Sequence, residues 1–203
     1  MRPVRVKVCG LTRIEDALAA ERLGAWALGF VFARSKRRVT PERAAAIARR
    51  LGPFVTRVGV FVNAEPKTVL DVARRARLSA VQLHGDEPPE WAEALRLHLP
   101  VIKAFRLDGP ADPAWLDYPA DALLVDGADP GSGQPYDPAW LTPLADHPHL
   151  IVAGGLTPER LPGLFERLCP YAVDVSSGVE RRPGVKDPGR VALFLQAASA
   201  GCG

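Results

Sequence analysis

The sequence predicts an α/β chain folded as a compact (β/α)8 barrel, the TIM-barrel architecture. Three observations carry that expectation. Eight short apolar, β-branched runs recur at near-regular spacing along 203 residues. They are continuously apolar more than alternating, as strands are when both faces are covered. Near the far end, Ala153-Gly154-Gly155-Leu156-Thr157-Pro158-Glu159 and Val173-Asp174-Val175-Ser176-Ser177-Gly178 each combine an apolar run with a turn of small residues. A strand, then small residues, then a helix opening aims bare backbone N–H groups at an anion. Two such turns after the last two strands are where this architecture binds phosphate.

The strands are predicted at Val4–Val8, Ala27–Phe32, Arg57–Phe61, Ala80–Leu83, Val101–Ala104, Ala122–Val125, Leu150–Ala153 and Ala172–Val175. After the first, Thr12 with Glu15 three residues later has the pattern of a capping box, and Gly24 closes that helix. Thr40-Pro41, Thr157-Pro158 and Asp187-Pro188 each set a cap residue before a proline at the first helical position. Gly52-Pro53 stops the second helix. The stretch Asp112 to Asp117 after strand five is so short and proline-flanked that a vestigial helix, a mere turn, is expected. Eight units average about 25 residues, near the lower limit for the fold. No linker or composition shift divides residues 1–203, so one catalytic domain is expected.

Composition narrows the function classes. A net charge of +3 with scattered basic residues predicts no nucleic-acid partner, which would call for a strongly basic stripe. No apolar run approaches the roughly 20 residues of a membrane helix, so no membrane partner is expected. Met1-Arg2-Pro3-Val4 leads straight into a strand with no signal peptide pattern. Cys9, Cys169 and Cys202 are an odd, sparse set without CxxC spacing. That predicts neither a disulfide framework nor a zinc site, and a cytoplasmic location. Twenty Pro against one Asn, three Gln and one Met point toward a thermophile, while the excess of Arg over Lys fits genomic base composition equally well.

Barrel chemistry sits at the C-terminal ends of the strands. Those positions are Cys9 after strand one, Arg34 and Arg37 after strand two, His84 ending strand four, Arg106 after strand five and Asp126 ending strand six, with the two phosphate turns. The set holds one thiol, one carboxylate and positive charge. It has neither paired acidic ligands for Mg²⁺ nor a His cluster, so no metal and no cofactor are expected. A Schiff-base lysine could come only from Lys7 or Lys103, both inside strand patterns. Acid–base chemistry on a phosphorylated anion is the natural expectation.

Particular segments then match a known family. Lys7-Val8-Cys9-Gly10-Leu11-Thr12, Gly29-Phe30-Val31-Phe32, Ser35-Lys36-Arg37 and Val58-Gly59-Val60-Phe61-Val62-Asn63 are followed by Val81-Gln82-Leu83-His84-Gly85, Ile102-Lys103-Ala104-Phe105 and Leu124-Val125-Asp126. Gly131-Ser132-Gly133, the glycine turn and Asp174-Val175-Ser176-Ser177-Gly178-Val179-Glu180 complete the order. The chain thereby resembles the N-(5'-phosphoribosyl)anthranilate isomerases of tryptophan biosynthesis. The resemblance implies an Amadori rearrangement of phosphoribosylanthranilate to 1-(2-carboxyphenylamino)-1-deoxyribulose 5-phosphate. It implies Cys9 as general base, Asp126 as general acid and Arg37 on the anthranilate carboxylate. Phosphate contacts would fall at Gly154, Gly155, Ser176 and Ser177, with Lys7 and His84 in support. The implied partner is a phosphorylated small molecule carrying an anthranilate carboxylate, bound by a monomer or homodimer.

Two departures fall in one loop: Pro130-Gly131-Ser132-Gly133 where the family has Gly-Gly-Ser/Thr-Gly, and Tyr136-Asp137-Pro138 where it has aromatic-Asp-Trp. The chemistry expects Asp126 to have a raised pKa and Cys9 to be partly thiolate beside a positive neighbour. His84 is expected to make a structural hydrogen bond under the site more than to carry protons. Rival functions are a histidine-pathway sugar isomerase, which uses two aspartates, and indole-glycerol-phosphate synthase, which needs lysine and glutamate at strand ends. A catalytically silent phosphate-binding barrel is a third.

Overall fold

The computed structural model describes residues 3–127 and 136–202. The motif Gly131-Ser132-Gly133, with Pro130, lies outside the described residues. Eight parallel strands, β1 (Arg5–Val8), β2 (Ala27–Val31), β3 (Thr56–Phe61), β4 (Ala80–Leu83), β5 (Val101–Leu107), β6 (Ala122–Gly127), β7 (Leu150–Val152) and β8 (Ala172–Val175), close into a barrel in chain order. The seam joins β8 to β1, with Arg5 opposite Ala172 and Lys7 opposite Asp174. Helices α1 (Ile14–Arg22), α2 (Pro41–Ala48), α3 (Pro66–Ala76), α4 (Pro89–Arg96), α5 (Leu161–Phe165) and α6 (Pro188–Ala200) connect them. After β5 and β6 the connections contain only 3-10 segments, Pro113–Asp117 and Pro138–Leu144. The vestigial helix expected after strand five is the first of these. Proline at its start and the N-cap Asp112, which accepts from the Ala114 N–H, nucleate a turn that has no room to lengthen.

Local signals mostly decide the boundaries. Thr40 Oγ1 accepts from the Arg43 N–H and Asp187 from the Gly189 and Arg190 N–H groups, so both cap-proline pairs open helices as expected. Gly24, at φ +96°, ends α1 with its N–H on Glu21 O while the Ala25 N–H returns to Ala20 O. This is the Schellman arrangement, in which glycine tolerates a left-handed φ.

Other signals misled. Thr12 does not cap α1: its Oγ1 donates to Gly184 O at 2.6 Å, drawn away by a chain segment far along the sequence. Thr157-Pro158 opens only a turn, and α5 begins at Leu161. Helix α2 ends before Gly52, whose N–H donates to Glu21 Oε1 of α1 at 2.7 Å. Strands β5 and β6 run past their predicted ends, because Arg106 and Asp126 interrupt the apolar runs without interrupting the pairing. An antiparallel hairpin of β9 (Glu180–Arg182) and β10 (Val185–Lys186) was not foreseen. Its Pro183-Gly184 turn supplies a rigid φ followed by φ +79°, the order a type II turn requires.

The cysteine expectation is corrected. Cys169, preceding β8, and Cys202, following α6, form a disulfide with their Cα atoms 5.6 Å apart. The pairing was hidden because folding, not sequence spacing, brings the two together. Among the described residues Cys9 is the free cysteine.

Candidate active site

Register across the barrel seam builds one side of the site. Lys7 and Cys9 are two residues apart on and just after β1, so both turn to the same face. Asp174 faces Lys7 from β8, and Lys7 Nζ donates to Asp174 Oδ2 at 2.9 Å with the lysine side chain 3% exposed. Burial works against the Lys7 charge, but Asp174 and Cys9 raise its pKa above the ordinary value. An ammonium held this way remains charged throughout the working range. Asp174 Oδ1 is buried and has no hydrogen-bond partner among the described residues.

Cys9 is buried, its N–H held by Val175 O at 2.8 Å. A Cβ at Gly29 would lie 2.6 Å from Cys9 Sγ, so glycine there makes the space the thiol occupies. Burial pushes the Cys9 thiol up; Lys7 and Lys186 pull it down, and Asp174 opposes them. Burial wins. The expected lowering of the thiol pKa is therefore corrected: burial outweighs the two neighbouring cations, and the pKa lies above its ordinary value.

Asp126 lies in β6, opposite Arg106 in β5. Burial, then the charge of Asp174, push its pKa up to about 6. Its Oδ1 accepts from the Gly127 N–H at 2.9 Å. The raised pKa agrees with the expectation for this carboxyl. His84 follows β4, its N–H on Phe61 O, and Gln82 Nε2 lies 3.1 Å from its Nδ1. Burial first, then Lys7 and Arg106, lower its pKa to about 4. The ring is thus neutral, and its 3.7 Å approach to Asp126 is a polar contact with no ion pair.

The two turns meet the carboxyl. Asp126, Ala153, Gly154, Gly155, Asp174, Ser176 and Ser177 wall one small cavity of ≈ 40 Å³. Gly154 has φ +87°, and a Cβ there would lie 2.6 Å from Gly127 N and 3.1 Å from Asp126 Oδ1. Only glycine fits this position on both counts. A larger cavity of ≈ 410 Å³ lies against the same glycine turn and is lined by Tyr136, Arg160 and Arg167. Tyr136 OH donates to Ala153 O at 2.9 Å, and Arg160 Nη1 donates to Gly155 O at 2.6 Å.

Arg37, between β2 and α2, is not a free cation. Its Nε and Nη2 donate to the two oxygens of Glu180 at 2.9 and 2.8 Å. Burial would raise the Glu180 pKa, but the Arg37 hydrogen bond and Lys186 hold it below the usual carboxylate range. Lys103 is likewise committed: its Nζ donates to Glu87 at 2.7 Å, with the glutamate side chain 0% exposed. Both candidate Schiff-base lysines are thus ion-paired. Among the described residues no group of three His, Cys, Asp or Glu side chains could hold a metal ion.

Sequence reasoning missed Asp174, Glu180 and Lys186 as members of the site. A lone carboxylate in the apolar run Ala172–Val175 was the available signal for Asp174. For Glu180 the signal was its place at the end of the family-matching segment Asp174–Glu180, whereas the charged stretch holding Lys186 showed no role for it.

Comparison with known proteins shows which family the chain resembles. Residues 6–197 match the family model described as N-(5'phosphoribosyl)anthranilate (PRA) isomerase. An N-(5'-phosphoribosyl)anthranilate isomerase from Geobacter sulfurreducens is 48% identical over 204 residues, covering 96% of this chain and 98% of the relative. The crystal structure of a phosphoribosyl anthranilate isomerase from Thermus thermophilus superposes with a TM-score of 0.94 at 55% identity, covering 97% of this chain and 99% of that one. Another, in complex with reduced 1-(o-carboxyphenylamino)-1-deoxyribulose 5-phosphate, has a TM-score of 0.89 at 43% identity, covering 97% and 99%.

Proposed function

The chain belongs to the N-(5'-phosphoribosyl)anthranilate isomerase family, an isomerase of tryptophan biosynthesis, and on that premise we propose that it works by general acid–base catalysis from Asp126 and Cys9. The observation that carries the proposal is one cavity shared by both small-residue turns and a carboxyl whose pKa is pushed up to about 6. A phosphate seated on the turns leaves the sugar ring within reach of an acid that still holds its proton.

In the proposed sequence Asp126 protonates the furanose ring oxygen of phosphoribosylanthranilate. The C1–O bond breaks, its electron pair going to oxygen, and the nitrogen lone pair forms a protonated Schiff base. The cationic C1=N bond acidifies the C2 proton, which Cys9 takes as the thiolate, its own proton having first gone to solvent. The C2–H pair becomes C1=C2, neutralising the nitrogen. C1 of the enol so formed takes up a proton and the C2 hydroxyl gives one up, giving the ketone. Lys7, fixed by Asp174, supports the thiolate against burial, and the substrate's own positive charge adds to that support.

Arg37 binds the anthranilate carboxylate, for which a guanidinium is suited by its planar set of donors. Gly154, Gly155, Ser176 and Ser177 bind the phosphate. His84, neutral and oriented by Gln82, supports the acid's orientation and takes no part in the proton transfers. We place the enzyme in the cytoplasm, as a biosynthetic isomerase. The test is a fluorescence assay of phosphoribosylanthranilate consumption by the purified chain. Turnover by the wild type, lost in Cys9→Ser and Asp126→Asn, supports the mechanism. An inert wild-type chain, or full turnover by either variant, refutes it.

A further inference from the structure

Arg37 is held from two sides, and the second hold reaches beyond it. Its stem crosses Gly10, at φ +75°, where a Cβ would collide with Arg37 Cδ. Its head is clamped by Glu180, whose side chain is 4% exposed. Glu180 Oε1 also accepts from Lys186 Nζ at 2.9 Å and the Gly184 N–H at 3.1 Å. Lys186 Nζ donates onward to Ser176 O at 3.1 Å. A continuous chain of charge-assisted hydrogen bonds therefore runs from the loop after β2, through Glu180 and Lys186, to the turn after β8.

The same network could merely hold the β9–β10 hairpin down. The hairpin has other fastenings, however. Buried Asp16 of α1 accepts from the Lys186 N–H at 3.0 Å, and Thr12 donates to Gly184 O at 2.6 Å. Glu180 spends both carboxylate oxygens on Arg37, a loop away. We propose that Glu180 is a positioning residue that fixes the separation between two anion anchors, Arg37 and the Ser176 turn. The site then selects ligands whose carboxylate and phosphate stand one set distance apart. This rests on the roles given to Arg37 and the turns above.

The test is calorimetric binding to wild type and Glu180→Gln, which keeps the size of the side chain and loses its charge. The ligands are reduced 1-(o-carboxyphenylamino)-1-deoxyribulose 5-phosphate, with both anions, and inorganic phosphate, with one. Losing a charge-assisted clamp should weaken the two-anion ligand about tenfold or more while phosphate changes less than about twofold. In turnover, KM should rise by a similar factor with kcat nearly constant. In an Arg37→Gln background the added substitution should have no further effect. Unchanged binding of the two-anion ligand, equal weakening of both ligands, or additivity with Arg37→Gln would each overturn the proposal. If Glu180→Gln fails to fold by circular dichroism, Glu180→Asp, whose shorter carboxylate withdraws from Arg37, should give the same split, and equal losses for both ligands overturn it. Wild-type turnover of phosphoribosylanthranilate reports separately on the proposed reaction, because the binding comparison does not depend on it.

Discussion

His84 Nε2 stands 3.7 Å from Asp126 Oδ2, and the imidazole is neutral because burial lowers its pKa to about 4 while that of the carboxyl rises to about 6. The two groups share a space without neutralising each other. His84 therefore does not offset the burial and the Asp174 charge that raise the Asp126 pKa. The native pKa of Asp126 lies above the 3.8 of an exposed aspartate, so folding favours the protonated form. The stability this provides is full below pH 3.8 and is lost as pH rises through 6.

Asp126→Asn should accordingly lose activity and gain stability together. We expect kcat to fall roughly 10²–10⁴-fold. At pH 7.5 urea unfolding should show a gain of roughly 2–3 kcal/mol, shrinking toward zero as pH falls through 6 toward 4. Because the acid titrates at about 6 and the buried thiol above its ordinary value, kcat/KM of the wild type should rise with pH to about 6, level off, and fall only as pH passes the thiol range. A variant no more stable at pH 7.5 would show that Asp126 is not strained by its burial.

Cys9→Ser should reduce kcat by roughly 10²–10⁴-fold with little change in KM. Because burial holds the thiol protonated, alkylation by iodoacetamide should be slow at neutral pH and accelerate with rising pH. Lys7→Met should slow it further by removing the cation that favours the thiolate. Product analogue should protect. Alkylation at full speed at pH 7 would mean an ionised resting thiol.

Arg37→Ala should raise KM far more than Arg34→Ala or Arg38→Ala. It should also lower stability, because Glu180 then keeps its buried charge with half its partners gone. Thermal melts and steady-state kinetics on the three variants decide it. Equal effects from all three would reduce the basic run to a diffuse field.

Inorganic phosphate or sulfate should inhibit competitively and bind at the two small-residue turns. Crystals grown with either anion should show it beside Gly155 and Ser177. An anion bound only elsewhere would remove that site.

Replacing Cys169 and Cys202 together by alanine should cost about 3–4 kcal/mol of stability from the 33-residue separation alone, on the loop-entropy estimate. Activity at 25 °C should persist, since neither residue lines the site cavity. Loss of turnover with an intact fold would give the disulfide a role in the site itself.

The barrel was legible because its strands are buried on both faces and read as plain apolar runs, such as Ala80–Leu83 and Ala172–Val175, whose predicted and observed limits coincide. The strand-end residues followed from that frame. What escaped depended on contacts distant in the chain. Thr12 has the pattern of a cap, yet Gly184 takes its hydroxyl across 172 positions. Arg37 shows its charge in the sequence but not the carboxylate 143 positions later that restrains it. The thiol's ionisation was misjudged because a neighbouring lysine is visible in Lys7-Val8-Cys9, whereas the burial that outweighs it is not.

The ion pair between Lys7 and Asp174 spans 167 positions, joining the first barrel strand to the last. The charges beside Cys9 thus lie on the seam where the ring closes. Such a contact carries a large loop-closure cost during folding and cannot form from any partial chain lacking β8. A half-built barrel has the thiol without its fixed ammonium, and the acid without the turn that faces it. The set of charges beside Cys9 and Asp126 is therefore complete only when the two ends of the sheet meet.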